Sequence, residues 1–196
     1  DGVEGDYFGY SVAISGSTIV VGAYADDDNG NGSGSAYIYD TSGNFINKIV
    51  APDGAVGDIF GASVAISGSN IVVSARNDDD NGNESGSAYI YDTAGNFINK
   101  IVAPDGAGID YFGYSVAISS SNIVVGAWRD DDKGNSSGSA YIYDTVGNFI
   151  NKIVAPDGVT NAYFGQSVAI SGSTIVVGAY GDDDNGNESG SAYIYD

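Results

Sequence analysis

"SAYIYDTSGNFINKIVAPDG", residues 35–54, carries the alternation that decides the fold. In SAYIYD, Tyr37 and Tyr39 point to one side of an extended chain while Ala36 and Ile38 point to the other. Thr41, Ser42 and Gly43 turn the chain, which returns through NFINKIVA (44–51) until Pro52-Asp53-Gly54 breaks it. A strict two-residue period places Phe45 and Ile49 on one face of the returning strand, and Ile46 and Val50 on the other. A sheet with one wet face would show polar residues at alternate positions, and these strands mostly do not. The sheet is therefore expected to be covered on both sides.

Upstream, YSVAIS (10–15) and TIVVGA (18–23) are joined by Gly16-Ser17, a hairpin turn, and an acidic loop separates TIVVGA from SAYIYD. Four short strands thus make one unit, and the unit is written four times. Phe8-Gly9 returns as Phe60-Gly61, Phe112-Gly113 and Phe164-Gly165, always 52 residues on. Tyr37/Tyr39 return as Tyr89/Tyr91, Tyr141/Tyr143 and Tyr193/Tyr195 in the same register. Repetition at such a period marks solenoids, propellers or arrays. β-Branched and aromatic residues fill the segments and 30 glycines punctuate them, which leaves helix almost no claim.

The units run 1–52, 53–104, 105–156 and 157–196, the last without a counterpart of NFINKIVA. The expected fold class is all-β: four 52-residue repeats, each a four-stranded antiparallel propeller-type blade, the last lacking its fourth strand. Its open strand edge invites self-association or a continuation of the same array, through head-to-tail contacts that close into rings or run on as filaments. A self-contained four-bladed propeller with one ragged blade is the alternative.

Six basic against 26 acidic residues give a net charge of −20. Such a chain is repelled by phosphate backbones and anionic membranes, so nucleic acid is not an expected partner and divalent cations are better candidates. No apolar run approaches the roughly 20 residues of a helical membrane span, and no membrane insertion is expected. The 42% hydrophobic content and 15 tyrosines supply a core and argue against disorder. With no Cys, His or Met, zinc, haem and iron–sulfur chemistry lose their usual ligands, and acid–base catalysis loses its commonest agent. Every unit repeats the same carboxylate loop, whereas an active site needs unlike groups in one pocket; no enzyme is expected.

The loop DDDNGNGSGS (26–35) and its copies at 78–87, 130–139 and 182–191 hold the candidate site residues. Asp27, Asn29, Asn31 and Gly32 match the start of a calcium loop, in which alternate side chains converge on one hard cation. The match decays where Gly32 becomes Glu84, Ser136 and Glu188, and where Asn29 becomes Lys133. The candidate calcium ligands are Asp26, Asp27, Asp28, Asp78, Asp79, Asp80, Asp130, Asp131, Asp132, Asp182, Asp183 and Asp184. A solvated turn held by local Asp and Asn hydrogen bonds is the other reading. Asn31, Asn83, Asn135 and Asn187 each open an N-x-S sequon and are candidate N-glycan acceptors. Tyr24, Trp128 and Tyr180, at the end of the second strand, are possible ligand-facing aromatics for a saccharide or protein, or else pack between blades. Arg76 and Arg129 are expected to neutralise the acidic loops beside them.

Taken in order, Phe8-Gly9, Ser11-Val12-Ala13, Val21-Gly22-Ala23 and Tyr37-Ile38-Tyr39 resemble the FG-GAP repeat, the blade unit of integrin-alpha-type β-propellers. The resemblance covers essentially the whole chain. It implies an extracellular or cell-surface location, a propeller blade, and a structural or adhesive role, with a filament subunit or a segment of a longer array as one form and a glycan- or protein-binding module as the alternative. Two features depart from the family. The position of its Pro holds Tyr24, Arg76, Trp128 and Tyr180, and the integrin-type calcium loop, between the first and second strands, is only SGST here. That calcium site does not carry over.

Overall fold

The computed structural model describes residues 2–196, and every element in it is a strand. Unit 1 contains β1 (Ser11–Ser15), β2 (Thr18–Ala23), β3 (Ser35–Asp40) and β4 (Phe45–Ile49). Unit 2 contains β5 (Val64–Ser67), β6 (Asn70–Ala75), β7 (Ser87–Asp92) and β8 (Phe97–Ile101). Unit 3 contains β9 (Phe112–Ile118), β10 (Asn122–Ala127), β11 (Ser139–Asp144) and β12 (Phe149–Ile153). Unit 4 contains β13 (Phe164–Ser171), β14 (Thr174–Ala179) and β15 (Ser191–Tyr195). Each unit is one antiparallel meander with strands in sequence order, giving sheets of four, four, four and three strands.

Pairing fixes the two faces. Val20 lies opposite Ile38 and Val21 opposite Tyr37, so one face of a blade is aliphatic and the other carries the tyrosines. One expectation fails at the fourth strand. Ile38 pairs with Asn47 but Tyr39 pairs with Phe45, so Ile46 is an extra residue and the register shifts there. The bulge moves Phe45 onto the tyrosine face, 5.8 Å from Tyr39 between ring centres, while Ile49 packs on the aliphatic face with Ala36 and Ile38. Phe45 and Ile49 therefore do not share a face. The same shift recurs in units 2 and 3.

Blades stack in one direction. The aliphatic face of unit 1 (Val20, Ile38, Ile49) meets the aromatic face of unit 2 (Phe60, Val64, Ile66, Tyr89, Tyr91), and the same match joins unit 2 to unit 3 and unit 3 to unit 4. Units 2 and 3 are covered on both sides, as the sequence led us to expect. Units 1 and 4 are not. Val12 and Ile14 of unit 1 are 66% and 65% exposed, although their counterparts Val64 and Ile66 are buried. Ile194 of unit 4 is 71% exposed, whereas Ile38 and Ile90 are fully buried. Because the contact is heterologous, every stack leaves one face of each kind open unless it closes on itself.

Candidate functional site

The acidic loop leaves β2, crosses the top of the blade and enters β3, and its three carboxylates have three separate tasks. The first is a buried hub. In unit 2, Asp78 accepts from the amide of Asp80 (3.1 Å), Ser87 Oγ (3.0 Å), Tyr89 Oη (2.9 Å) and Lys100 Nζ (3.0 Å). The second closes the loop on itself: Asp79 Oδ1 accepts from the Glu84 amide at 2.7 Å, as Asp27, Asp131 and Asp183 do from Gly32, Ser136 and Glu188. That tie holds position 84 at φ 54, a left-handed conformation that suits the Gly32 of unit 1 better than a side chain. The third carboxylate points outward and pairs with lysine, Asp80 Oδ2 lying 2.5 Å from Lys100 Nζ.

The metal-ligand expectation is thus redistributed. In unit 2 the first and third aspartates converge, with ligand oxygens within 4.8 Å of one another, but the other member is Asp53 from the Pro-Asp-Gly turn. The middle aspartate of each triplet is engaged with its own backbone. A cation already sits in the cup: Lys100 Nζ lies 2.8 Å from Asp53, 3.0 Å from Asp78 and 2.5 Å from Asp80. Unit 3 repeats this with Lys152 on Asp105, Asp130 and Asp132, and Lys48 bridges Asp26 and Asp28 in unit 1. A calcium ion and the ammonium cannot share these oxygens, so units 1 to 3 do not fit calcium while the lysine is in place.

Electrostatics agree. Burial alone would lift the carboxyls of Asp26, Asp53 and Asp105, but hydrogen bonds from lysine and tyrosine outweigh it and hold them below the ordinary carboxylate range. Burial disfavours the charged form of Lys100 and Lys152, yet their carboxylate partners raise both above the usual lysine value. Burial, then the nearby carboxylates, push the phenols of Tyr89 and Tyr141 upward, which keeps them as donors. Each phenol donates within the cup, Tyr89 Oη lying 2.8 Å from Asp53 and 2.9 Å from Asp78.

The loop's carbonyls do something no side chain advertises. The tip of loop 1 accepts from the entry of unit 2: Gly57 N to Asn31 O at 3.0 Å, Ile59 N to Gly32 O at 3.0 Å and Phe60 N to Ser33 O at 2.9 Å. Loop 2 accepts in the same way from Ile109, Tyr111 and Phe112, and loop 3 from Asn161, Tyr163 and Phe164. Each loop is a clasp onto the following blade. The Phe-Gly pair is where the clasp closes: Gly61 has φ 93, and a Cβ there would run into the carbonyl of Ser35.

Asn31, Asn83, Asn135 and Asn187 are all exposed, whereas the sequon serines Ser33, Ser85 and Ser137 are buried plugs. Ser85 Oγ accepts from the Asn81 amide (3.1 Å) and donates to Asp78 O (3.2 Å). The second-strand aromatics pack on other rings. Tyr24 stacks on Tyr7 at 5.1 Å, Trp128 contacts Tyr111, Tyr114 and Tyr163, and Tyr180 stacks on Tyr163 at 4.9 Å. Among the described residues Arg76 and Arg129 pair with no carboxylate; their guanidinium groups lie over Tyr114 (4.8 Å) and Trp128 (4.7 Å). A further aspartate sits before each Phe-Gly pair in units 1 to 3. Asp110 accepts from the Ala107 amide at 2.7 Å, and burial pushes its carboxyl up to about 6.

Asp53, Asp105, Lys48, Lys100 and Lys152 are missing from the residues the sequence singled out. The signal was there: three of the six basic residues stand inside strands, 52 residues apart.

The FG-GAP repeat family matches residues 1–39, 44–91, 96–143 and 148–195, and the chain belongs to that family. Each later matched segment takes in a Phe-Ile-Asn-Lys-Ile strand with the three strands that follow it, whereas hydrogen bonding joins that strand to the sheet before it. No curated protein matches the sequence. Among solved structures, the computationally designed Ika4 protein is similar over 98% of this chain and 92% of its own, with TM-score 0.59 and 14% identity. BamB from Moraxella catarrhalis is similar over 93% of this chain, which spans 41% of it, with TM-score 0.55 and 11% identity. These likenesses support a β-propeller-type repeat scaffold.

Proposed function

We propose that the chain is a non-enzymatic structural or adhesive scaffold of the extracellular space or cell surface, the usual setting of FG-GAP repeats, and that its stack continues past units 1 and 4, either through further copies as a filament subunit or as a segment of a longer array. One observation carries this reading: the two open faces are complementary. The exposed Val12 and Ile14 face has the chemistry of Val64 and Ile66, which in every internal interface covers a Val20/Ile38-type face. Unit 4 exposes such a face at Val176 and Ile194. In this scaffold the lysines take the place of calcium in units 1 to 3. The exposed asparagines are the glycan positions if the protein is secreted through a glycosylating compartment.

Light scattering across a concentration series tests the reading. Ile14→Asp and Ile194→Asp should each block association, and an equimolar mixture of the two should stop at dimers, because each variant keeps one good face. A wild-type chain that stays monomeric at all concentrations would overturn it. The second reading, a binding module, is favoured by the aromatic ladder from Tyr111 to Tyr180 and by the indole N–H of Trp128, which is buried without a hydrogen-bond partner. Saccharide titration of Trp128 fluorescence is its test.

A further inference from the structure

Units 2 and 3 meet at a cleft of about 280 Å³, lined by Arg76, Asn77 and Glu84 from one and by Tyr111, Tyr114 and Trp128 from the other. Both units have a blade on each side, so this is a junction inside the stack. Its lining is where otherwise near-identical units differ. The junction of units 1 and 2 has Gly32, Ile59 and Ala62 where this one has Glu84, Tyr111 and Tyr114, and Arg76 stands where the other units have Tyr24, Trp128 and Tyr180. The groups of the cleft do not satisfy one another. Glu84 accepts from Tyr111 Oη at 2.6 Å, while the guanidinium of Arg76 pairs with no carboxylate among the described residues and lies 4.8 Å over the ring of Tyr114. Arg129 lies over Trp128 and Tyr111, at 4.7 and 5.5 Å. Trp128 Nε1 and Arg129 Nε are buried with no hydrogen-bond partner. The half-buried rings of Tyr114 and Trp128, 5.2 Å apart, form an apolar wall beside the Arg76 fork.

A concave site with an aromatic wall and a few convergent polar groups fits a small ligand that has one apolar face and hydroxyls or charge at its rim. The free fork of Arg76 asks for a planar anion, which a guanidinium holds through two parallel hydrogen bonds. The amide of Asn77 and the carboxylate of Glu84 suit hydroxyl groups, the amide both donating and accepting and the carboxylate accepting. A doubly charged phosphate would meet Glu84 on a chain of net charge −20, whereas a single carboxylate on a hydroxylated ring keeps its charge at the Arg76 end. We propose that this cleft binds an acidic pyranose, a sugar ring carrying a carboxylate, presented by a glycan. The C–H face of the ring lies on Trp128 and Tyr114, the carboxylate takes the fork of Arg76, and the hydroxyls meet Asn77 and Glu84. The inference rests on the binding-module reading and names its ligand class; it requires no association between chains.

The test titrates the whole chain with methyl glucuronide, with methyl glucoside as its neutral counterpart and with acetate as a carboxylate that has no ring. Trp128 is the single tryptophan, so its fluorescence and its indole N–H resonance both report on the cleft. The glucuronide should bind saturably and about tenfold or more tighter than the glucoside, and acetate should leave both signals unchanged. Arg76→Met should bring the glucuronide down to the level of the glucoside. Arg76→Lys, which keeps the charge but not the fork, should fall between, and it guards against a variant that merely fails to fold. Lys133→Met removes an exposed cation outside the cleft and should change nothing. Equal binding of the two sugars would overturn the acidic ligand and leave the binding-module reading standing. A response to acetate equal to that of the glucuronide would overturn the sugar. No response to either sugar would overturn the proposal outright, and the wider saccharide titration then decides the binding-module reading by itself.

Discussion

The loops of units 2 and 4 are the same ten residues, DDDNGNESGS at 78–87 and at 182–191, yet they are not the same structure. Both close on themselves through the middle aspartate. In unit 2 the loop also holds a lysine and grips the next blade, and its serine plug Ser85 is buried. In unit 4 it does neither, and Ser189 is exposed. What a repeat loop binds is therefore set by its neighbours in the stack, and the ten letters give only the capacity.

The largest expected effect concerns the clasp. Gly61 and Gly9 have nearly the same φ, 93 and 92, but a Cβ on Gly61 meets the Ser35 carbonyl while one on Gly9 meets nothing within 4 Å. Gly61→Ala should cost about 3 kcal/mol or more in urea unfolding, and Gly9→Ala only about 1 kcal/mol of backbone strain. Equal costs would show that conformation alone, and not the neighbouring blade, selects glycine.

Lys100→Met comes next. It converts the cup of unit 2 into that of unit 4, leaving Asp53, Asp78 and Asp80 without their cation. Because Asp53 and Asp80 are about half exposed, the loss should be about 2 kcal/mol, below the range for a fully buried pair. Added calcium should recover part of this loss in Lys100→Met and none in the wild-type unit 2, as read by hydrogen exchange of Tyr89. A smaller contrast is Ser85→Ala, expected to cost about 1 kcal/mol, against Ser189→Ala, expected within about 0.5 kcal/mol.

The mildest test is pH. Asp110 titrates at about 6 when folded and near the ordinary 3.8 when unfolded, so over that window the folded chain binds the extra proton. Stability should then rise as pH falls from 6 to 4, by about 2 kcal/mol, and Asp110→Asn should flatten that part of the profile. Unit 4 carries Ala162 at the equivalent position and lacks this carboxyl. Below this window the opposite sign takes over. Asp53 and Asp105, held low by lysine, lose their contribution as they protonate.

The strands were legible because β-branched and aromatic residues fill each segment and glycines punctuate them, and the 52-residue repeat made the four units plain. The bulge at Ile46 was not, since Phe45 and Ile46 are both apolar and an extra apolar residue leaves the binary pattern unbroken. Asp53 was hidden by its own sequence: Pro-Asp-Gly reads as a turn, and it is one, so nothing asked for a second role. Lys100 carried a signal, a charge inside a strand whose neighbours are apolar, but its partners lie 22 and 47 residues away. The clasp could not have been read at all. It is made by backbone carbonyls, and these have no letter in the sequence.

The clasps all point the same way, from the loop of one blade to the entry of the next, and this gives the molecule a polarity. Removing a blade from the front exposes a preformed sheet face and leaves the loops of units 2 and 3 gripped as before. Removing one from the back releases a glycine-rich loop that has nothing left to hold. Unravelling is then easier from one side than from the other, like a zipper with a single slider. A protease given the folded chain should cut first near residues 183–189 and work backwards, one blade at a time.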